Sequence, residues 1–266
     1  FTEVVVQAAR AVAEAGFTGV ELPLPHAEFQ FNRLRTADWK QLGSLMTDAG
    51  APARSIHGPT FAPLETPCTQ AIDRLMPYVE IAQTLEVSAL VVHPTPHSHP
   101  HVCPIAEALL ERDAQISQAI AQEIGPTTKL AIENLPTYGL AHLRRLMDRV
   151  ADDRVGVCFD TGHWMVRPEG NIEDAVRDFA PRLAHVHLSD NDGRCDAHRP
   201  PGAGAFPWRA WWGAMPPSWS RRAMLVELSL PLRRDREDAP QRAKILLKEA
   251  QETARRTLVA AELSHR

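Results

Sequence analysis

The chain has no CxxC pair, and its four cysteines, Cys68, Cys103, Cys158 and Cys195, lie far apart. That spacing excludes the usual cysteine zinc cages and the disulfide framework of a small secreted domain, so the thiols read as reduced, in a cytoplasmic protein. No apolar run approaches the ~20 residues of a membrane span, and no charged segment followed by an apolar one opens the sequence. Neither a membrane anchor nor an export signal is expected. Basic residues do not cluster: 29 lysines and arginines stand against 33 aspartates and glutamates, a formal charge of −4, and they are scattered or fall in helical stretches such as Arg233 to Lys248. A nucleic-acid footprint is therefore not expected. A Gly-rich phosphate fingerprint is missing as well, and no repeat shorter than a βα unit is visible.

What is present is alternation. At 266 residues with 44% apolar content the chain can bury one large core, and a single domain over 1–266 is the simplest organisation. Short β-branched runs at Gly19 to Leu22, Ala53 to His57, Ala89 to His93, Lys129 to Asn134, Val155 to Asp160, Leu183 onward and Met224 to Leu228 read as strands. Between them, Val4 to Ala15, Ala37 to Ala49, Ala71 to Glu86, Ile105 to Ile124, Leu140 to Val150 and Ile172 to Phe179 have helical periodicity, and a basic helix closes the chain. Strands alternating with helices predict a parallel sheet closed into a (β/α)₈ TIM barrel. Only seven strands can be read. The sequence starts at Phe1 directly in a helix, so the first strand reads as left out of this sequence or supplied some other way.

The placement of metal-type residues is regular. His57, His93, Glu133, Asp160, His187 and Glu227 each end a different strand, separated by 36, 40, 27, 27 and 40 residues. In a barrel those positions converge on the C-terminal mouth, where active sites of this architecture lie. His163 follows Asp160 by one helical step, and Asp196 and His198 stand in the polar stretch LSDNDGRCDAHRPPGAGAFPW after the sixth strand read here. Imidazole and carboxylate donors suit zinc, manganese, iron or cobalt.

The segments SIHGP, VVHP, AIEN, CFDTGH, HVHLSDND, DAHRPPGAGAFPW and VELS resemble the xylose-isomerase-like barrel superfamily, which includes sugar isomerases and epimerases and the apurinic-site endonuclease IV group. The resemblance covers nearly the whole chain in the family's order. For the epimerases it implies one divalent metal, zinc or manganese, on Glu133, Asp160, His187 and Glu227, with Glu133 and Glu227 doubling as acid and base. For the endonuclease IV group it implies a trinuclear zinc cluster that adds His57, His93, His163, Asp196 and His198. All nine positions match, yet PPGAGAFPW resembles the isomerase loop, and Thr60 stands where endonuclease IV enzymes carry a tyrosine.

The expected function is accordingly a metal-dependent isomerisation or epimerisation of a small sugar, sugar phosphate or related polyhydroxy carbonyl compound. Proton abstraction beside a carbonyl needs a Lewis acid and carboxylates on opposite faces of the carbon. The alternative is a polynuclear zinc phosphodiesterase, and a barrel that keeps its ligands without turnover is the third reading. Substrate-binding candidates are His185, Trp164 and Arg199. His185 is read chiefly as a support for His187, while Trp164, Trp208, Trp211 and Trp212 either wall a sugar pocket or pack under the long loop. Arg167, Arg194 and Arg199 are either phosphate contacts or solvated. Glu21 and His26 read as rim or substrate-facing residues, His97, His99 and His101 as a solvated loop, and His142 as helix surface. Homo-oligomerisation is left open.

Overall fold

A computed structural model describes residues 2–24, 34–96, 103–229 and 239–263. Seven strands form one sheet in chain order, every neighbouring pair parallel: β1 (Val20–Pro23), β2 (Ala53–Thr60), β3 (Ala89–His93), β4 (Lys129–Glu133), β5 (Val155–Asp160), β6 (Leu183–Leu188) and β7 (Leu225–Val226). Helices α1 (Thr2–Glu14), α2 (Thr36–Asp48), α3 (Cys68–Thr84), α4 (Cys103–Glu123), α5 (Leu140–Arg149), α6 (Thr161–Val166), α7 (Ile172–Phe179), α8 (Trp208–Ala214) and α9 (Ala239–Leu263) alternate with or follow them. The sequence of β5, Val-Gly-Val-Cys-Phe-Asp, shows why the strands read as unbroken apolar runs: all six residues are buried, since one face meets helices and the other the barrel interior.

Strand parity divides the core in two. Leu90, Val92, Leu130, Ile132, Val157, Phe159, Val186 and Leu188 point outward into the large apolar layer under the helices. Ala89, Val91, Ala131 and Cys158 point inward as a small separate cluster with Ala184 against it. These short side chains fill the barrel floor. Two residues beyond Val91, Ala131 and Cys158, the same inward parity delivers His93, Glu133 and Asp160 instead.

The ring stays open between β1 and β7, which do not pair among the described residues. A cavity of about 400 Å³ lies there, lined by Val20, Glu21, Met224, Leu225 and Val226 among others. Seven strands agree with the sequence reading, although β7 is two residues long rather than five: Leu225 and Val226 are in register with His187 and Leu188, and the Glu227 amide ends the ladder on the Leu188 carbonyl at 3.1 Å. Two helices were not legible in advance. Helix α6 follows β5 without a linker, and α8 closes the aromatic stack in which Phe206 meets Trp164 at 5.8 Å and Trp208 at 4.5 Å between ring centroids. His142 is not on the surface as expected: its side chain is 11% exposed, lies against the Tyr138 ring and reaches toward the buried Asp113. No described helix is long and apolar enough to cross a membrane. Cys68, Cys158 and Cys195 carry no disulfide.

The loop after β6 is tied down by Asp190. Its carboxylate accepts from the backbone amides of Asn191 (2.9 Å), Gly202 (2.9 Å) and Phe206 (3.0 Å) and from the indole of Trp208 (2.8 Å). A buried anion with four donors is costly to remove, because the donors lose their acceptor in a dry site. Asp190→Ala is expected to cost about 3 kcal/mol, a fall of roughly 6–12 °C in melting temperature for a domain of this size. Thermal unfolding followed by circular dichroism checks this; an unchanged melting temperature would show that Asp190 is not what holds the loop.

Candidate metal centre

The side chains singled out at strand ends meet above the small-residue floor. Strand register explains the convergence: Glu133 pairs with Cys158 and Asp160 with His187, so successive inward residues climb around the ring. Glu133 is the hub. Its Oε2 lies 3.2 Å from His57 Nε2 and 3.1 Å from His93 Nε2, and its Oε1 lies 3.1 Å from His163 Nδ1 and 3.4 Å from His187 Nδ1. Glu227 enters just past β7, its Oε2 at 3.1 Å from His187 Nδ1 and its Oε1 at 3.4 Å from His198 Nε2. Asp196 Oδ2 closes the circle at 3.2 Å from His163 and 3.3 Å from His198.

Local chemistry sets these positions. Asp160 caps α6: its Oδ1 accepts the His163 backbone amide at 2.6 Å, which turns the chain so that His163 faces back over the barrel. The side-chain amide of Asn134 brackets Asp160, donating to its carbonyl at 3.0 Å and accepting its N–H at 2.7 Å. At Gly162, two residues on from Asp160, a Cβ would displace Ser189 Oγ and crowd Asp196. His198 holds a left-handed backbone with φ 43°, a conformation costing a non-glycine residue of order 1–2 kcal/mol. Its carbonyl accepts from the Ser229 amide at 3.0 Å, which ties the loop to the segment after β7.

The nine residues therefore fall into three groups of potential ligands, each with donor atoms within 4.8 Å of one another: His57, His93 and Glu133; Glu133, Asp160, His187 and Glu227; and His163, Asp196 and His198. Burial opposes ionisation of Glu133, but the charges and hydrogen bonds of His187, His163 and His57 hold it well below the ordinary carboxylate range. Burial pushes Asp160 the other way, up to about 7, with Glu133 adding repulsion. Burial also works against the His163 imidazolium, yet Asp160, Asp196 and Glu133 raise it to about 11. Glu227 is buried enough to disfavour its charge but is lowered by His187 and His198. The Cys158 thiol beneath is pushed up by burial.

The donor set fits a divalent metal on its own evidence. Among the described residues, Asp160 Oδ2, His187 Nδ1, Asp196 Oδ1 and Glu227 Oε2 are buried and lack a hydrogen-bond partner. Leaving such atoms unpaired is expensive, and all four are lone-pair donors of the kind that zinc or manganese accepts.

The remaining candidates are placed differently. His185 sits one layer below His187, its Nε2 3.3 Å from Glu21. Trp164 is 6% exposed and packs edge-on against Phe206. The Arg199 side chain reaches solvent beside Asp192 at 3.7 Å. His26, His97, His99 and His101 lie outside the described residues. Glu21 is no rim residue: it lies inside the barrel against both His185 and His187. Its inward parity in a four-residue strand was the one signal that could have shown this.

A sequence model described as the xylose isomerase-like TIM barrel matches residues 9–247. The curated relatives are matched over 21% and 50% of their own length. The longer match is to uncharacterized protein MJ1614 of Methanocaldococcus jannaschii, 24% identical over 130 residues, or 48% of this chain. Among solved structures, D-psicose 3-epimerase with D-tagatose from Clostridium cellulolyticum H10 superposes with a TM-score of 0.77 at 15% identity, covering 96% of this chain and 93% of that one. The IolI protein with a binding zinc atom gives a TM-score of 0.71 at 16% identity over 96% of this chain and 92% of that one. At these identities the superpositions establish the fold.

Proposed function

As a member of the xylose isomerase-like TIM barrel family, with two glutamates flanking one imidazole at the barrel mouth, this chain is, we propose, a divalent-metal-dependent isomerase or epimerase of a small sugar, sugar phosphate or related polyhydroxy carbonyl compound. The observation that carries the reading is the pair Glu133 and Glu227. They approach His187 Nδ1 at 3.4 and 3.1 Å, and their neighbouring imidazoles keep both below the ordinary carboxylate range. Both carboxylates are thus ionised at neutral pH and ready to accept a proton.

Glu133, Asp160, His187 and Glu227 would hold the metal, zinc or manganese. Once bound, that ion supplies a Lewis acid for the carbonyl and hydroxyl oxygens of the substrate. One glutamate removes the proton from the carbon beside the carbonyl, and the other returns a proton from the opposite face. Glu227, whose side chain is 32% exposed against 1% for Glu133, is the more accessible of the two. Of the substrate-binding candidates, Arg199 reaches solvent at the mouth, whereas His185 and Trp164 are enclosed and would act through their neighbours. The superposed epimerase supports a carbohydrate substrate.

A second reading is favoured by one observation. A single Glu133 oxygen lies about equally far from His57 and His93, and a further group of His163, Asp196 and His198 stands beside it. Those five extra residues suit additional zinc ions, as a phosphodiester hydrolase requires.

One experiment separates the two. Metal-loaded protein incubated with a panel of ketoses and aldoses in deuterated water is expected to place solvent deuterium on the carbon next to the carbonyl, because a carboxylate base exchanges its proton with solvent between abstraction and return. Product analysis accompanies it, since a hydride shift would leave no label. Incision of abasic-site duplex, lost in Glu227→Gln and seen while the sugars stay untouched, would sink the isomerase reading.

A further inference from the structure

Both ring nitrogens of His187 are buried without a hydrogen-bond partner, and they face different surroundings. Nδ1 looks toward Glu227 at 3.1 Å, Glu133 at 3.4 Å and Asp160 at 3.7 Å. Nε2 looks the opposite way, to Glu21 Oε1 at 3.2 Å. The ring is fully buried, so water does not decide where its proton sits. A neutral imidazole has one proton and one lone pair, and a carboxylate can only accept.

Glu21 is itself held. Ser55 Oγ donates to its Oε2 at 2.6 Å, and His185 Nε2 lies 3.3 Å from the same oxygen. The pairing of Glu21 with Ser55 across β1 and β2 sets the first contact, and His185 is the inward residue one step before His187 on β6. One oxygen of Glu21 is therefore anchored and the other is aimed at His187.

We propose that Glu21 is a positioning residue for the metal centre: its Oε1, 3.2 Å from Nε2, favours the tautomer of His187 that keeps the proton on Nε2, as the acceptor toward which that N–H points, and so leaves the Nδ1 lone pair facing the site formed with Glu133, Asp160 and Glu227. Ser55, through its hydrogen bond to Glu21 Oε2, and His185, 3.3 Å from the same oxygen, form the tier behind it. This rests on the metal-centre reading above. A carboxylate behind a ligating imidazole fixes its tautomer and orientation and raises its basicity, and losing one typically weakens metal binding 10–100-fold.

The test begins with the unaltered chain. In long-range ¹H–¹⁵N spectra of ¹⁵N-histidine protein loaded with zinc, His187 is expected to show a protonated Nε2 and a metal-shifted Nδ1; the reverse tautomer, or metal on Nε2, overturns the proposal. Mn²⁺ titration then compares variants whose fold is checked by circular dichroism. Glu21→Gln keeps an acceptor but loses the charge, and about tenfold weaker binding is expected; Glu21→Ala loses both, with about 100-fold. Equal affinity in the unaltered protein and both variants overturns the proposal. So does an extra metal per chain that vanishes with Glu21, which would make Glu21, His185 and His187 an inner metal site. Binding that Glu133→Gln abolishes and Glu21→Ala leaves intact removes the positioning role alone. If the unaltered chain takes up no metal at all, the metal centre and the positioning role fall together.

Discussion

Glu133→Gln is expected to abolish tight retention of a divalent metal and to lower kcat/KM by about 10⁴-fold, the scale on which loss of a catalytic base adds to loss of the Lewis acid. The expectation follows from how much meets on this one group. Its two oxygens contact His57, His93, His163 and His187 at 3.1–3.4 Å, and the side chain is 1% exposed. Glutamine has the same shape but supplies one oxygen and one amide nitrogen. The nitrogen would face two imidazoles with a donor where they now meet an anion. Elemental analysis of metal per chain, beside activity on whichever sugar the isotope experiment identifies, reads both effects. Full metal content with full activity in Glu133→Gln would remove Glu133 from the centre.

The second large effect is that of metal removal, and it carries a pH dependence whose sign can be worked out. Chelator-treated protein is expected to lose activity by more than 10³-fold and to recover it with zinc or manganese. Metal competes with protons for the same lone pairs. In the metal-free chain burial lifts Asp160 to about 7, while Asp160 and its neighbours lift His163 to about 11. At neutral pH both therefore still hold protons to a large degree, and loading must expel them. Affinity should rise with pH through the neutral range and fall as pH drops below about 7, by about tenfold per pH unit for each proton displaced. Stripping is then easiest in mild acid. Proton release on Zn²⁺ addition in weakly buffered solution measures the count directly. Metal per chain at saturation separates one site from several: His57→Ala and His198→Ala lower the count only where the outer groups are occupied. Activity that survives exhaustive chelation would exclude a metal-dependent reaction.

Much of this was legible in the sequence for a simple reason. A strand buried on both faces must be apolar throughout, so a polar residue at its end stands out, as His93, Glu133 and Asp160 do. The regular spacing of one βα unit then places them on a common rim. What stayed hidden depends on contacts remote in sequence. Asp190 is one more aspartate in an acidic loop until Gly202, Phe206 and Trp208 fold back onto it. Glu21 sits in a strand too short for its parity to be read with weight. The six-residue helix after β5 has too few residues for a period, and its signal is the Asp160 cap. His142 follows a polar helical pattern, yet Asp113 and Tyr138 pack over it. Trp164 could be assigned to a pocket wall or to packing from sequence alone, because its edge-on contact with Phe206 joins residues far apart in the chain.

Asp160 serves two masters, and this bears on how related chains should be read for lost chemistry. One oxygen caps the helix that carries His163, and the other is left without a hydrogen-bond partner at the centre. A related chain without metal would still gain from keeping the aspartate, because the cap it supplies to this helix contributes about 1 kcal/mol. Glu227 caps nothing, and its carboxylate meets His187 and His198. Drift at position 227 is thus open as soon as the chemistry is given up. Under the proposed function, a glutamate at this position is the better marker of retained chemistry between two diverged barrels of this kind, and an aspartate at the other marks mainly the helix it caps.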